Sequence, residues 1–218
     1  SYAVYDKAGR TRYTVQSRGD GTGILSESLY DANGRLTKSI AYAKEISLAV
    51  ITANLATPAG IATEVARLYS GSLSIANDAA NRTSRAVYDA IGNLRFSIDA
   101  LGGVTENTVN TFGQIVTQTR YATAINAASV DGMSNPLTQL LPTKDALRDH
   151  TTGFIYDSNG QQRYTLDALG YVTESQFNAF GETTRTQRYY RETSGVSVTS
   201  STTVATVQTA LAVRVDPQ

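Results

Sequence analysis

The chain repeats itself, and that constrains its fold more than any other feature. Residues 87–122 (VYDAIGNLRFSIDALGGVTENTVNTFGQIVTQTRYA) align without a gap on residues 155–190 (IYDSNGQQRYTLDALGYVTESQFNAFGETTRTQRYY) at a constant offset of 68. Tyr88 and Tyr156, Gly92 and Gly160, Asp99 and Asp167, Gly113 and Gly181, and Tyr121 and Tyr189 all obey it. A more divergent copy opens the chain, with Tyr5, Gly9, Arg12, Gly34 and Tyr42 in the equivalent places and a small insertion around Arg18 to Gly23. A fixed period of this length is the signature of a repeat architecture, in which each unit is one supersecondary element that stacks on its neighbours.

Each copy holds two shorter units of the form strand, Asp/Asn-x-x-Gly, strand. The turn chemistry explains the spacing: an Asx side chain bonds to its own backbone two residues on, and the following glycine takes positive φ to close a hairpin with a bulge. Asp6 and Gly9, Asp31 and Gly34, Asp89 and Gly92, Gly113, Asp157 and Gly160, and Gly181 are the expected turn residues. Arg163 to Leu166 and Val172 to Phe177 alternate bulky and polar side chains with period two, as half-buried strands do. Asp167-Ala168-Leu169-Gly170 supplies the turn between them. The expected fold is mainly β, a repetitive antiparallel β-hairpin sheet, spiral or solenoid with short α-helical linkers between repeat pairs.

This divides the chain into repeat unit 1 (1–83: hairpins 1–43, linker 44–83), unit 2 (84–150: hairpins 84–122, linker 123–150) and unit 3 (151–218: hairpins 151–192, linker 193–218). Apolar residues at Ile61, Val65, Leu68 and Tyr69, and at Leu137, Leu140 and Leu141, suit helical stripes. Thr57-Pro58-Ala59-Gly60 is expected to break the first linker into two helices. Part of Val196 to Val207 is open to a strand reading, because valine and threonine are frequent there.

Composition removes several kinds of chemistry. Nineteen Lys and Arg balance nineteen Asp and Glu, so the chain lacks the excess basic charge that phosphate binding exploits, and nucleic acid is not an expected partner. Without cysteine there is no thiol catalysis, thiolate metal site or disulfide framework. The longest weakly apolar run, Leu48 to Ala62, is interrupted by Thr52, Asn54, Thr57 and Pro58 and is too short and polar for a membrane span.

The Tyr-Asp-x-x-Gly turns, the Arg-aromatic-x-aliphatic strand after them and the Asp-Ala-Leu-Gly turns together resemble the RHS family, also called YD repeats. The resemblance covers about three quarters of the chain. It implies a long β-hairpin spiral of the kind that closes, in bacterial RHS and insecticidal toxin-complex proteins, into a hollow shell around a toxic C-terminal domain; animal teneurins carry related repeats as adhesive surface proteins. The helical segments, and Arg120-Tyr121-Ala122-Thr123-Ala124-Ile125 leading out of a sheet unit, look more like the very long RHS-repeat proteins of Gram-negative bacteria. The family's core-end Asp-Pro-x-Gly motif and self-cleaving aspartates have no counterpart. Asp216-Pro217-Gln218 is simply the repeat position also held by Asp78 and Asp145.

The residues that could carry chemistry read as architecture. His150 stands beside Asp149 and near Asp145, but no second histidine exists to complete a typical zinc site. Asp31, Asn33 and Gly34, and Asp157, Asn159 and Gly160, are similar to the start of a calcium loop but lack its terminal glutamate. Serine and threonine have no histidine partner within the repeats. Asp99 and Glu106 recur as Asp167 and Glu174, and recurrence favours a structural role because an active site is ordinarily built once. Tyr5, Tyr30, Tyr42, Tyr88, Tyr121, Tyr156 and Tyr189 are expected to line up as structural ladders, with cross-strand aromatic pairs each contributing on the order of 0.2–1 kcal/mol.

The expected function is therefore non-enzymatic, with no cofactor or metal: a structural segment of a large secreted or cell-surface bacterial protein, forming a wall, sheath or fibre. Two alternatives stay open, a shell that encapsulates and delivers a C-terminal toxin and a carbohydrate-binding adhesin, the latter if a tyrosine ladder faces solvent. The chain starts and stops at about the same phase: a notional copy joined after Gln218 keeps the 68-residue period to within one residue. Together with Ser1 at the start, this suggests an excerpt or processed chain whose units self-associate with further repeats or copies end to end.

Overall fold

The computed structural model describes residues 1–49, 57–69, 80–192 and 198–212. It is mainly β, with thirteen antiparallel strands. The first copy contributes β1 (Tyr2–Tyr5), β2 (Thr11–Ser17), β3 (Thr22–Tyr30) and β4 (Leu36–Ala41), with the two-residue β5 (Ile46–Ser47) on the side of β3. The second contributes β6 (Arg82–Tyr88), β7 (Leu94–Ile98), β8 (Val104–Val109) and β9 (Ile115–Arg120). The third contributes β10 (His150–Tyr156), β11 (Gln162–Leu166), β12 (Tyr171–Phe177) and β13 (Thr183–Glu192).

Period-two alternation decides which face is buried. Val4, Val87 and Ile155 are equivalent across the copies, as are Val15, Ile98 and Leu166, and Leu25, Val104 and Val172; all nine are buried. A one-residue slip would turn this whole set to solvent, so each strand's register is strongly specified.

The chain forms two compact units, Ser1–Val87 with Ser97–Gly102 and Asn126–Leu140, and Tyr88–Phe96 with Gly103–Ile125 and Leu141–Gln218. In the first, helix α1 (Pro58–Leu68) lays Ile61, Val65 and the adjoining Tyr69 on a core of Val4, Tyr13, Val15, Leu25, Ile40 and Tyr42. In the second, α3 (Val204–Ala212) places Val207 on Ile155, Tyr164, Leu166 and Val172. Ile61 and Val207 are fully buried, and each such side chain contributes about 1.5–3 kcal/mol.

The linkers follow their sequence expectation to different extents. In the first linker Leu48 and Ala49 are helical, and Thr57 caps the start of a separate helix, α1, its hydroxyl accepting from the Gly60 amide at 3.1 Å, with Pro58 in the first turn where a missing N–H costs nothing. Residues 50–56 of that linker lie outside the described residues. In the second linker a 3₁₀ turn, η1 (Ala127–Gly132), precedes the single-turn α2 (Pro136–Gln139). Leu140 is buried while Leu141 is 83% exposed, so the expected leucine stripe is cut short; Leu141 precedes Pro142, which disfavours helical backbone there. The strand reading of Val196 to Val207 gives way to α3 over Val204–Ala212, whose Thr203 hydroxyl accepts from the Thr206 amide, while 193–197 lie outside the described residues. Strands also reach into the expected linkers. β6 starts at Arg82 and β10 at His150, because Arg82 pairs with Ala41 and His150 with Arg120.

Candidate functional site

Two recurring polar constructions account for the residues singled out in the sequence. The first is the turn. At Asp6, Asp31, Asp89, Asn110, Asp157, Asp167 and Asn178 one side-chain oxygen accepts the backbone N–H groups two and four residues on, at 2.8–3.2 Å. The glycine between them, as at Gly9, Gly34, Gly92, Gly113, Gly160 and Gly181, has φ between 76° and 100° and donates to the Asx carbonyl. The register shifts at Tyr5, Tyr30, Val109, Tyr156 and Phe177 are the matching bulges. These bonds, led by the backbone N–H of Arg10 and of Arg35, hold the Asp6 and Asp31 carboxyls below the usual range.

The residue after the glycine links hairpins. Arg10 pairs with Asp6 at 2.8 Å, and its guanidinium also donates to the Asp31 carbonyl of the next turn. Gln114 donates from Nε2 to the Gly160 carbonyl at 3.0 Å. The side chains of Asn93 and Gln161 lie beside Gly113 and Gly181 in the same way. Glycine is required twice over there, for its φ and for the neighbour's approach.

The second construction is a set of hydroxyl–carboxylate anchors, with Glu27 and Glu174 buried and Glu106 half-buried. Glu27, Glu106 and Glu174 are equivalent, and each accepts from the tyrosine that ends the copy: Tyr42, Tyr121 and Tyr189. Tyr13 and Arg12 also donate to Glu27, at 3.0 and 2.6 Å, and Tyr164 and Arg163 to Glu174, at 3.4 and 2.6 Å. Phe96 stands at the tyrosine position of the second copy, and Arg95 donates to the Asn107 carbonyl instead. Burial, then Glu27, pushes the Tyr13 hydroxyl up to about 12; the same two influences raise Tyr42 further, and burial and Glu106 raise Tyr121. The bond to Glu174, then burial, brings Tyr189 to about 12. Burial pushes Glu174 upward, but the Tyr189 hydroxyl and the Arg163 charge outweigh it and leave that carboxyl below its usual value.

Tyr30 and Tyr156 also act through their hydroxyls. Tyr30 donates to the Thr11 carbonyl and Tyr156 to that of Ile115, at 2.9 and 2.8 Å, while the Arg10 guanidinium lies 4.6 Å from the Tyr30 ring centre. Tyr5 is 56% exposed, Tyr88 is half-buried, and Tyr42 meets the ring of Tyr69, which caps the end of α1, with centroids 5.8 Å apart.

His150 is exposed on β10. Asp149 closes the second linker by accepting from the Ala122 and Asp145 amides at 2.8 Å each. A cleft of about 820 Å³ lies between Phe112, Tyr156, Asn159 and the start of α3; its lining carboxylate, Asp157, is already engaged in its turn. Among the described residues no three metal-ligating side chains cluster, no buried polar side-chain atom lacks a partner, and no helix is long and apolar enough to cross a membrane.

No protein-family model and no curated protein matches the chain. Solved structures do. A chain in the crystal structure of TcdB2-TccC3-Cdc42 matches 90% of this one with a TM-score of 0.50 at 15% identity. At that identity the likeness concerns the fold. The crystal structure of TcdB2-TccC3 without its hypervariable C-terminal region matches 86% (TM-score 0.48, 16% identity), and the Photorhabdus luminescens Tc holotoxin pore 84% (TM-score 0.39, 11% identity). This chain spans only 8–9% of the length of those chains. The hydroxyl–carboxylate anchors themselves went partly unseen in the sequence: Glu27 lies 79 residues before Glu106, whereas the first hairpins are offset by 83, because the insertion at Arg18 to Gly23 shifts the phase.

Proposed function

We propose that the chain is a non-enzymatic structural segment of a large secreted or cell-surface RHS-type protein, in which successive hairpins build an extended wall, sheath or fibre. The observation that carries this reading is that the polar clusters recur with the repeat and are taken up by the fold itself. Glu27, Glu106 and Glu174 are tied to tyrosines of their own copies, and the Asx carboxylates to their own turns. A protein that turned over a substrate would need such groups free and poised at one place. Further repeats or copies, added strand by strand, are the partners this architecture suits.

The fold likeness to a chain of TcdB2-TccC3-Cdc42 favours a second reading, in which the same sheet curls into a shell around an effector. Curvature separates the two. Negative-stain microscopy of the native protein shows straight or superhelical particles under the first reading and closed hollow particles under the second. A compact particle that turns over a small substrate would overturn both.

A further inference from the structure

The strand junctions between successive copies share one register. Lys38 of β4 pairs with Arg85 of β6, and Thr117 of β9 with Gly153 of β10. Lys38 and Thr117 are equivalent, 79 residues apart, and so are Arg85 and Gly153, 68 apart. The chemistry at the two junctions is opposite.

At the first, Asp131 of η1 reaches both strands. It takes Arg85 in a two-point bond, Nε to Oδ1 and Nη2 to Oδ2 at 2.8 Å each, and Lys38 Nζ at 2.6 Å. The Arg85 side chain is 8% exposed. At the second, the following linker brings Val198 instead. A Cβ on Gly153 would lie 2.4 Å from Val198 Cγ2 and 2.8 Å from its Cβ, so no side chain fits at 153 while that valine stays. Val198 lies 68 residues after Val130, the neighbour of Asp131, so one stretch of the linker covers the junction in both cases.

We infer that this position is a matching code that decides which strand docks at each junction: a basic pair under a linker carboxylate at one, a side-chain-free strand under a linker valine at the other. Identical backbone registers alone would let β10 take the place of β6 on β4. That exchange would set Gly153 against Lys38 and leave Asp131 without its two-point partner, while β6 on β9 would drive Arg85 into Val198. Repeat proteins are prone to such misassembly, and built-in mismatch penalties are a means of preventing it. The inference does not depend on whether the sheet forms a wall or a shell.

The test uses the full 218-residue chain. In a mismatched variant Arg85→Gly and Gly153→Arg exchange the two residues; a matched variant adds Asp131→Val and Val198→Asp. Hydrogen exchange at the amides of residues 38–41 and 82–85, and of 117–120 and 150–153, reads the two junctions. The code predicts loss of protection at both in the mismatched chain, up to failure to fold, and recovery of at least part of it in the matched one. Should neither variant fold, the cycle of Asp131→Asn and Arg85→Gln decides: the code predicts a non-additivity of about tenfold in the folding equilibrium constant. Wild-type protection in the mismatched chain, or additive effects in the cycle, would overturn it.

Discussion

The Tyr189 hydroxyl donates to the Glu174 carboxylate at 2.5 Å, tying the last strand of the third copy to its neighbour β12. The Glu174 side chain is only 7% exposed, so its charge depends on this bond and on Arg163 for solvation. Tyr189→Phe removes the donor and leaves the carboxylate. A loss of about 1–3 kcal/mol follows, read as a lower urea midpoint at unchanged m-value. An unaltered midpoint would mean that the bond contributes nothing.

Alkaline pH should unfold the protein through its anchors. Tyr13 ionises only at about 12 when folded, against an ordinary value near 10, and Tyr189 likewise; Tyr42 and Tyr121 are raised too. Below pH 10 both folded and unfolded forms keep these protons, so their contribution is constant. From pH 10 upward the unfolded tyrosines ionise first, and stability falls by about 1.4 kcal/mol per pH unit for a fully shielded tyrosine such as Tyr13 until its folded value is passed. Urea midpoints measured from pH 8 to 11 should be flat and then drop, together with a rise in tyrosinate absorbance on unfolding. A midpoint that holds to pH 11 would contradict the buried bonds.

The turns separate two costs of replacing glycine. Gly9 has φ +76° and nothing within 4 Å of the place an added Cβ would take, so Gly9→Ala costs only the strain of left-handed backbone, about 1–2 kcal/mol. Gly113 has φ +79°, and its added Cβ would lie 3.1 Å from Asn93 Oδ1, so Gly113→Ala should cost more. Adding Asn93→Ala should narrow the gap between them in thermal unfolding. Equal costs at Gly9 and Gly113 would remove the side-chain contact from the account.

The start of α1 gives an independent check on the linker. Thr57→Ala loses the cap to Gly60, for about 1 kcal/mol. Ile61→Ala, at a fully buried site against β1 to β4, should cost about 2–5 kcal/mol. Similar small effects from both would mean that the helix does not seal the core.

What the sequence revealed, and what it hid, follows from range. The Asx-x-x-Gly turns are written within five residues, and the strands beside them within ten, so a local pattern was enough to place Asp31 with Gly34 or Asp157 with Gly160. The anchors join residues 15 apart, Glu27 with Tyr42 and Glu174 with Tyr189. Alignment of copies could flag Glu106 and Glu174 as recurrent, but their hydroxyl partners became visible only once the strands were paired. The linkers were least legible. Thr57, Asn135 and Thr203 each precede a helix at nearly the repeat spacing, yet the helices run for eleven, four and nine residues, because proline placement and the sheet beneath them, rather than a shared stripe, set their length.

The central claim is that the recurring carboxylates are architectural, and Glu27→Gln, Glu106→Gln and Glu174→Gln in the full chain test it most directly by equilibrium urea unfolding. Each substitution keeps the shape but removes the charge that the tyrosine hydroxyls and, at Glu27 and Glu174, the arginines bond to. The account predicts that all three lower stability, by about 1–2 kcal/mol each. Carboxylates held for chemistry typically cost stability, and removing them leaves a protein as stable or more so; unchanged or raised stability in all three would contradict the account.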